Sequence, residues 1–141
     1  MTLYAESSAV LRWLLGESRG DDVDGLLRRA RKVVCSRLTL IETRRVIHRA
    51  VAQDALDEVG SEAVFEALAR AAARWGVLEL SRDVAERAEG RFPVEPVRTL
   101  DAVHLASALF LRQSLPDLHV LSTDHRVRAN AGRLGFEVVP A

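Results

Sequence analysis

Short apolar runs alternate along the chain with longer segments whose apolar positions recur every three or four residues. The short runs predict β-strands at 2–5, 32–36, 77–80, 119–122 and 136–139. The longer segments predict α-helices at 9–15, 23–31, 38–51, 61–75, 81–90, 100–111 and 124–134. Because the first strands lack alternation, helices are expected to cover both faces. The order predicts an α/β fold with a mostly parallel five-stranded sheet flanked by about seven helices.

The most apolar of these helices is the one at 100–111, where only an aspartate, a histidine and a serine interrupt apolar or small residues. A helix that is apolar nearly all round is usually buried. Thr99 is its expected N-cap, and Asp101 lies in the first turn, where the helix dipole favours a carboxylate. Asp101 is therefore either a simple helix-start residue or part of a site, and the other acids decide between the two.

Four acidic residues occupy positions where a predicted strand ends or a predicted helix begins. Glu6 follows the first strand, Glu42 lies early in the third helix, and Asp124 comes just after the fourth strand. The functional crevice of an open parallel sheet lies at the carboxyl ends of its strands, so we expect these residues and Asp101 to converge there. We interpret the other acids as solvated surface residues, among them Asp54, Asp57, Glu58, Glu62, Glu66 and Glu86.

Carboxylates held close together repel one another and raise each other's pKa, and a divalent cation removes that conflict. Carboxylate oxygens together with water select Mg²⁺ or Mn²⁺. Ions held in this way suit in-line displacement at phosphorus, because they favour ionisation of water and stabilise a leaving oxygen. Zinc is not expected, since one cysteine and four scattered histidines show no ligand spacing.

Composition narrows the class of protein further. The chain has 141 residues and is 48% hydrophobic, which predicts one domain, 1–141, with a single sizeable core. Twenty basic side chains balance twenty acidic ones, so binding to a polyanion must depend on a local patch. Cys35 is the only cysteine, which excludes an internal disulfide. We expect no membrane span and no signal peptide, and hence a cytoplasmic location.

Four motifs in this order resemble those of the PIN-domain ribonucleases, in particular the VapC toxins of bacterial and archaeal toxin–antitoxin pairs. They are Leu-Tyr-Ala-Glu-Ser-Ser-Ala at 3–9, the run around Glu42 at 36–46, Leu-Asp-Ala-Val-His-Leu-Ala at 100–106, and Leu-Ser-Thr-Asp at 121–124. A closing apolar strand follows at 136–139. The resemblance covers essentially the whole chain and implies a PIN-like fold.

This resemblance implies a metal-dependent endoribonuclease that hydrolyses RNA with metal-activated water. It implies that Mg²⁺ or Mn²⁺ is held by four acids, which here are Glu6, Glu42, Asp101 and Asp124. It also implies that Ser8 and Ser122 orient these acids through hydrogen bonds, that a cognate antitoxin binds near the first helices, and that the protein forms a homodimer. The family usually has aspartate where this chain has Glu6. The longer side chain leaves open a non-catalytic or weakened PIN-like binding module.

Basic side chains near the acids are candidates for RNA contact. Arg98 precedes the apolar helix, and His125 and Arg126 follow Asp124, where they are placed to meet phosphates. A solvated basic helix face is the alternative. His104 lies one turn after Asp101 and is expected to be a structural histidine, with phosphate contact or proton transfer as the alternative.

Trp13 lies with three leucines on a short first helix, which is a large apolar content for so short an element. It either packs internally or lines a groove for an amphipathic partner helix.

A phosphoacceptor receiver domain shares the alternating α/β plan and is a rival interpretation. It requires paired acids after the first strand and a lysine after a late strand. The only lysine is Lys32, which comes early in the chain, so the receiver interpretation is disfavoured.

Overall fold

A computed structural model describes all of residues 1–141. Its strands are β1 (Thr2–Ala5), β2 (Lys32–Ser36), β3 (Gly76–Leu78), β4 (Leu118–Leu121) and β5 (Val138–Val139). Its helices are α1 (Ser7–Leu14), α2 (Gly20–Arg29), α3 (Arg37–Ala52), α4 (Glu58–Ala72), α5 (Arg82–Ala88), α6 (Thr99–Arg112) and α7 (His125–Arg133). The five strands form one parallel sheet, which confirms the predicted fold class.

The order of the strands places the functional edge. The sheet runs β3-β2-β1-β4-β5, so the chain builds outward from β1 on one side and then returns to build on the other. Strand β1 pairs with β2 and with β4, and all four of its residues are buried. The order reverses at β1, and the crevice beyond its carboxyl end is the place where ligands bind in such sheets. Glu6 is the first residue beyond that end.

Helices cover both faces of the sheet. On one face α6 and α7 pack over Tyr4 and Val120, with Leu105 of α6 in the centre of this part of the core. On the other face α1 and α2 pack over β1, and Leu3 contacts Val23 there. Successive side chains of a strand point to opposite faces, which is why Tyr4 turns towards α6 while Leu3 turns away from it.

The predicted helix starts differ from the observed ones by one to three residues, and two of them show a physical reason. Helix α4 begins at Glu58 instead of Ser61, because Asp57 caps it by accepting the N–H of Gly60 at 2.6 Å. Helix α6 includes Thr99, so Arg98 is the N-cap residue, and no side chain makes a cap hydrogen bond there. The polar residue nearest an apolar pattern is thus not always the cap.

The apolar periodicity of residues 38–51 places Ile41 among the inward positions of α3, but Ile41 is 51% exposed. The hydroxyl of Thr39 donates to the carbonyl of Ala5 at 2.9 Å and fixes which face of α3 meets the end of β1. The inward face then carries Thr39, Leu40, Thr43 and Ile47, and Ile41 lies opposite. No helix has the combination of length and apolar character that crossing a bilayer requires.

Candidate active site

Glu6 is held at the sheet edge by its backbone and its side chain. Its N–H donates to the carbonyl of Leu121 at 3.0 Å, which continues the pairing of β1 with β4. Its Oε2 accepts hydrogen bonds from the Ser8 N–H at 3.1 Å, from the Ser8 hydroxyl, and from the Ser122 hydroxyl at 2.8 Å. The contacts expected of Ser8 and Ser122 are therefore present. Their role in orienting a metal ligand stays a prediction.

The Glu6 carboxylate is only 4% exposed. Burial raises its pKa above the usual range, although the nearby His104 and the hydrogen bonds from Ser8 and Ser122 act in the opposite direction. The fold thus holds an acid where its charged form is disfavoured. Such placement is common where a group serves chemistry instead of stability.

Glu42 is supported by a buried hydrogen-bond chain. Its Oε1 accepts from the Ser7 hydroxyl at 2.7 Å and lies 2.5 Å from His104 Nε2. On the other side of the ring, His104 Nδ1 lies 2.7 Å from the Tyr4 hydroxyl. Burial raises the pKa of Tyr4 well above its usual range, so the phenol keeps its proton and donates to Nδ1. His104 therefore carries its proton on Nε2 and donates it to Glu42.

The hydrogen bonds that reach Glu42 favour its ionised form. Partial burial acts to raise the pKa of Glu42, but the hydrogen bonds from His104 and from the Ser7 hydroxyl act in the opposite direction, and the net shift is downward. Glu42 is therefore ionised at neutral pH. His104 is 1% exposed, as expected of a structural histidine, but it also touches an acid of the site.

Asp101 and Asp124 are joined through Arg98. The guanidinium donates from Nε to Asp101 Oδ2 at 2.9 Å and from Nη2 to Asp124 Oδ2 at 3.3 Å. The other oxygen of Asp124 caps α7 by accepting the N–H groups of Arg126 and Val127. Asp124 therefore uses one carboxylate oxygen to cap α7 and the other to contact Arg98 in the site.

The acids are linked into one edge by contacts between these groups. The Ser8 hydroxyl, which donates to Glu6, also accepts the N–H of Asp124 at 3.1 Å. Ser7, the residue between Glu6 and Ser8, donates to Glu42. Together with the Arg98 bridge, these hydrogen bonds and the backbone of residues 6–8 link Glu42, Glu6, Asp124 and Asp101.

The donor chemistry of this edge fits a hard divalent cation, because every acid presents carboxylate oxygen and two acids already share a cationic group. One buried side-chain polar atom has no partner, and it is Thr123 Oγ1, between Ser122 and Asp124. In the present side-chain arrangement no three histidine, cysteine or acidic side chains lie close enough to hold one ion together. The acids are paired instead with Arg98, His104 and serine hydroxyls.

Two of the three residues expected to contact RNA are exposed and form no ion pair, and their contact with RNA stays a prediction. His125 and Arg126 are exposed on the first turn of α7, and neither forms an ion pair. Arg98 is engaged by the acids instead. Sequence reasoning missed Ser7 and Tyr4. In the sequence, Ser7 has only the features of a helix-capping residue. The spacing of Tyr4 and His104 along the chain does not indicate that they are in contact.

Fold and site together define a parallel α/β protein with linked acids at the switch point of its sheet. A family model described as the PIN domain matches residues 3–133. The chain belongs to the PIN-domain family.

The chain is 33% identical to Ribonuclease VapC46 of Mycobacterium tuberculosis over 137 residues, which is 97% of this chain and 95% of that protein. The crystal structure of VapC20 of M. tuberculosis, described as a sarcin-ricin loop cleaving toxin, matches with a TM-score of 0.67 and 17% identity and covers 95% of each chain. A toxin–antitoxin complex from Klebsiella pneumoniae matches with a TM-score of 0.63 and 17% identity over 99% of this chain and 97% of that one. The structural matches establish the fold.

The buried charge of Glu6 gives a pH-dependent prediction. The folded pKa of Glu6 lies above its unfolded value, so its charge destabilises the fold above that pKa, and the cost fades as pH falls through it. Glutamine keeps an oxygen for the Ser8 and Ser122 donors. We therefore expect Glu6→Gln to raise the free energy of unfolding of the metal-free protein at pH 7, and to raise it less near pH 4.

Urea denaturation followed by circular dichroism in the presence of a chelator measures this difference. Glu62→Gln, an exposed change on α4, is the matched control and should alter stability little at either pH. A Glu6→Gln protein less stable than wild type at pH 7 contradicts the prediction.

Proposed function

We propose that this protein is a metal-dependent endoribonuclease and the toxin of a toxin–antitoxin pair. The observation that carries the proposal is the path of contacts that links Glu6, Glu42, Asp101 and Asp124 at the switch point of the sheet. The membership of this protein in the PIN-domain family and its similarity to a protein named as a ribonuclease support the same function.

The cofactor of this proposal is Mg²⁺ or Mn²⁺, held by carboxylate oxygens of the same four acids. When bound, a divalent ion supplies positive charge that favours ionisation of water and stabilises the oxygen that leaves phosphorus. Glu42 remains ionised because His104 and Ser7 donate to it. Ser8 and Ser122 hold Glu6 in one orientation. No side chain serves as a nucleophile, since the attacking group is water.

In this proposal, exposed basic side chains beside the acids position the RNA substrate. His125 and Arg126 lie at the start of α7, directly after Asp124. Phosphate contacts of this kind fix the register of a nucleic acid without reading its sequence. Because the net charge of the chain is zero, RNA binding relies on this local patch.

A protein antitoxin is the proposed partner. The structure from Rickettsia felis that matches this fold is of VapBC2 bound to a promoter DNA fragment, and the match from K. pneumoniae is a toxin–antitoxin complex. A groove of about 720 Å³ lies away from the acids and is lined by Trp13, Leu27 and Trp75 together with Arg28 and Arg74. Trp13 is half-buried and donates its indole N–H to Asp24 at 3.0 Å, so it also packs internally. We assign the antitoxin to this groove.

The second candidate function is that of a weakened module in which Glu6 no longer supports cleavage. The observation in its favour is that no three histidine, cysteine or acidic side chains lie close enough to share one ion. Cleavage of a fluorescent RNA by wild type and by Glu6→Asp in Mn²⁺, with chelator as blank, separates the two. We expect wild type to cleave and Glu6→Asp to be slower by up to about a hundredfold, because the hydroxyls of Ser8 and Ser122 are placed for the longer side chain. An inactive wild type and an active Glu6→Asp establish the weakened module instead.

A further inference from the structure

Arg98 occupies the space between the two acids that begin α6 and α7. Its Nε and Nη2 lie on one edge of the guanidinium, and each nitrogen donates to a different carboxylate. The oxygens it binds are Asp101 Oδ2 and Asp124 Oδ2. Because Asp124 Oδ1 caps α7, Oδ2 is the oxygen that Asp124 offers to a divalent ion, and the guanidinium competes with the ion for it.

The three groups differ in how firmly they are held. The side chain of Asp101 is 11% exposed and that of Asp124 is 27% exposed, and both belong to the starts of helices. The side chain of Arg98 is 59% exposed and makes no hydrogen bond except to these acids. An ion pair with so exposed a partner is weak, because water screens it and ordering a long side chain costs entropy. Arg98 is thus the member that moves.

Arg98 is the only basic side chain that forms an ion pair with either acid. In the metal-free protein, Arg98 therefore supplies part of the positive charge that carboxylates at this edge need.

We propose that Arg98 is an internal counter-cation, which neutralises Asp101 and Asp124 in the metal-free protein and competes with the divalent ion for their oxygens. The inference rests on the proposed metal site and adds that the chain itself lowers the affinity of that site. Binding of the ion releases the guanidinium from the acids. Arg98 is therefore a residue that tunes metal occupancy, and contact with RNA is not needed for this role.

Titration of Mn²⁺ into metal-free protein by calorimetry, in about 0.15 M salt, tests the proposal. The informative variant is Arg98→Gln, which keeps much of the side-chain length and removes the charge. We expect it to bind Mn²⁺ about three- to tenfold more tightly than wild type, the range that two exposed ion pairs together allow. The matched control is Arg126→Gln, which removes a charge beside Asp124 that forms no ion pair, and its Mn²⁺ affinity should stay near that of wild type.

Thermal unfolding gives a second readout that does not depend on catalysis. Without metal, Arg98→Gln should unfold at a slightly lower temperature than wild type, because Asp101 and Asp124 lose their shared partner. Saturating Mn²⁺ should then raise its Tm by more than it raises that of wild type.

The outcomes separate the inference from the function on which it rests. If wild type binds Mn²⁺ and Arg98→Gln binds it equally or more weakly, the counter-cation role is overturned while the metal site stands. Equal tightening by Arg126→Gln also overturns it, because the effect is then one of general charge. If neither wild type nor Arg98→Gln binds Mn²⁺, the proposed metal site fails, and the inference fails with it.

Discussion

The Asp101→Asn variant is expected to cleave RNA at least about a hundredfold more slowly than wild type at saturating Mn²⁺. Asp101 is 7% exposed in the first turn of α6, and its Oδ2 is one of the two oxygens held by Arg98. Asparagine preserves the shape of this side chain and removes its charge. A carboxylate that binds an ion directly contributes more than the outer groups, whose loss typically costs tenfold to a hundredfold.

Initial rates on a fluorescent RNA across a Mn²⁺ titration measure the effect, and the same titration reports any weakened metal binding. Asp117→Asn is the control, because this exposed acid pairs with Arg31 outside the site. Circular dichroism should show both variants folded. Asp101→Asn cleavage within a few-fold of wild type removes Asp101 from the proposed mechanism.

The second large effect is on stability. We expect His104→Ala to lower the free energy of unfolding by about 3 kcal/mol, since it combines a cavity with unsatisfied polar groups. His104 is 1% exposed and joins Tyr4 to Glu42 through its two ring nitrogens. Removing the ring leaves the Tyr4 hydroxyl without its partner in the core and takes one of the donors from Glu42.

Urea denaturation curves of wild type, His104→Ala and His125→Ala give the comparison. His125 is exposed, so its replacement should change stability by no more than about 0.5 kcal/mol. Tyr4→Phe removes only the hydroxyl end of the network and should cost roughly 1 kcal/mol, which separates the lost hydrogen bond from the cavity. A loss below about 1 kcal/mol for His104→Ala shows that the network adds little to folding.

The positions of the acids relative to the strands could be predicted from sequence, and the reason is geometric. Apolar runs predict the strands, and the carboxyl ends of parallel strands meet at one edge. Glu6 and Asp124 follow β1 and β4, so their position at this edge follows from the parallel arrangement. Their closeness depends on the pairing of β1 with β4, which the structure shows and the sequence does not. Their roles as metal ligands stay a prediction.

The contacts among side chains could not be predicted in the same way. Tyr4 meets His104 because β1 turns alternate side chains to opposite faces and α6 covers one of them. Arg98 precedes α6 by one residue, and only the relative placement of α6 and α7 brings Asp124 within its reach. Ile41 shows the same limit, because a hydroxyl contact and not apolar periodicity sets the inward face of α3.

The central place of β1 has a consequence during synthesis. Thr2 pairs with Lys32 on one side and with Leu118 on the other, and the second partner leaves the ribosome long after the first. Contacts between such distant parts of a chain form late and slowly. A nascent chain that stops before β4 lacks both a neighbour of β1 and Asp124. The four acids therefore cannot share one edge until β4 and the start of α7 have left the ribosome.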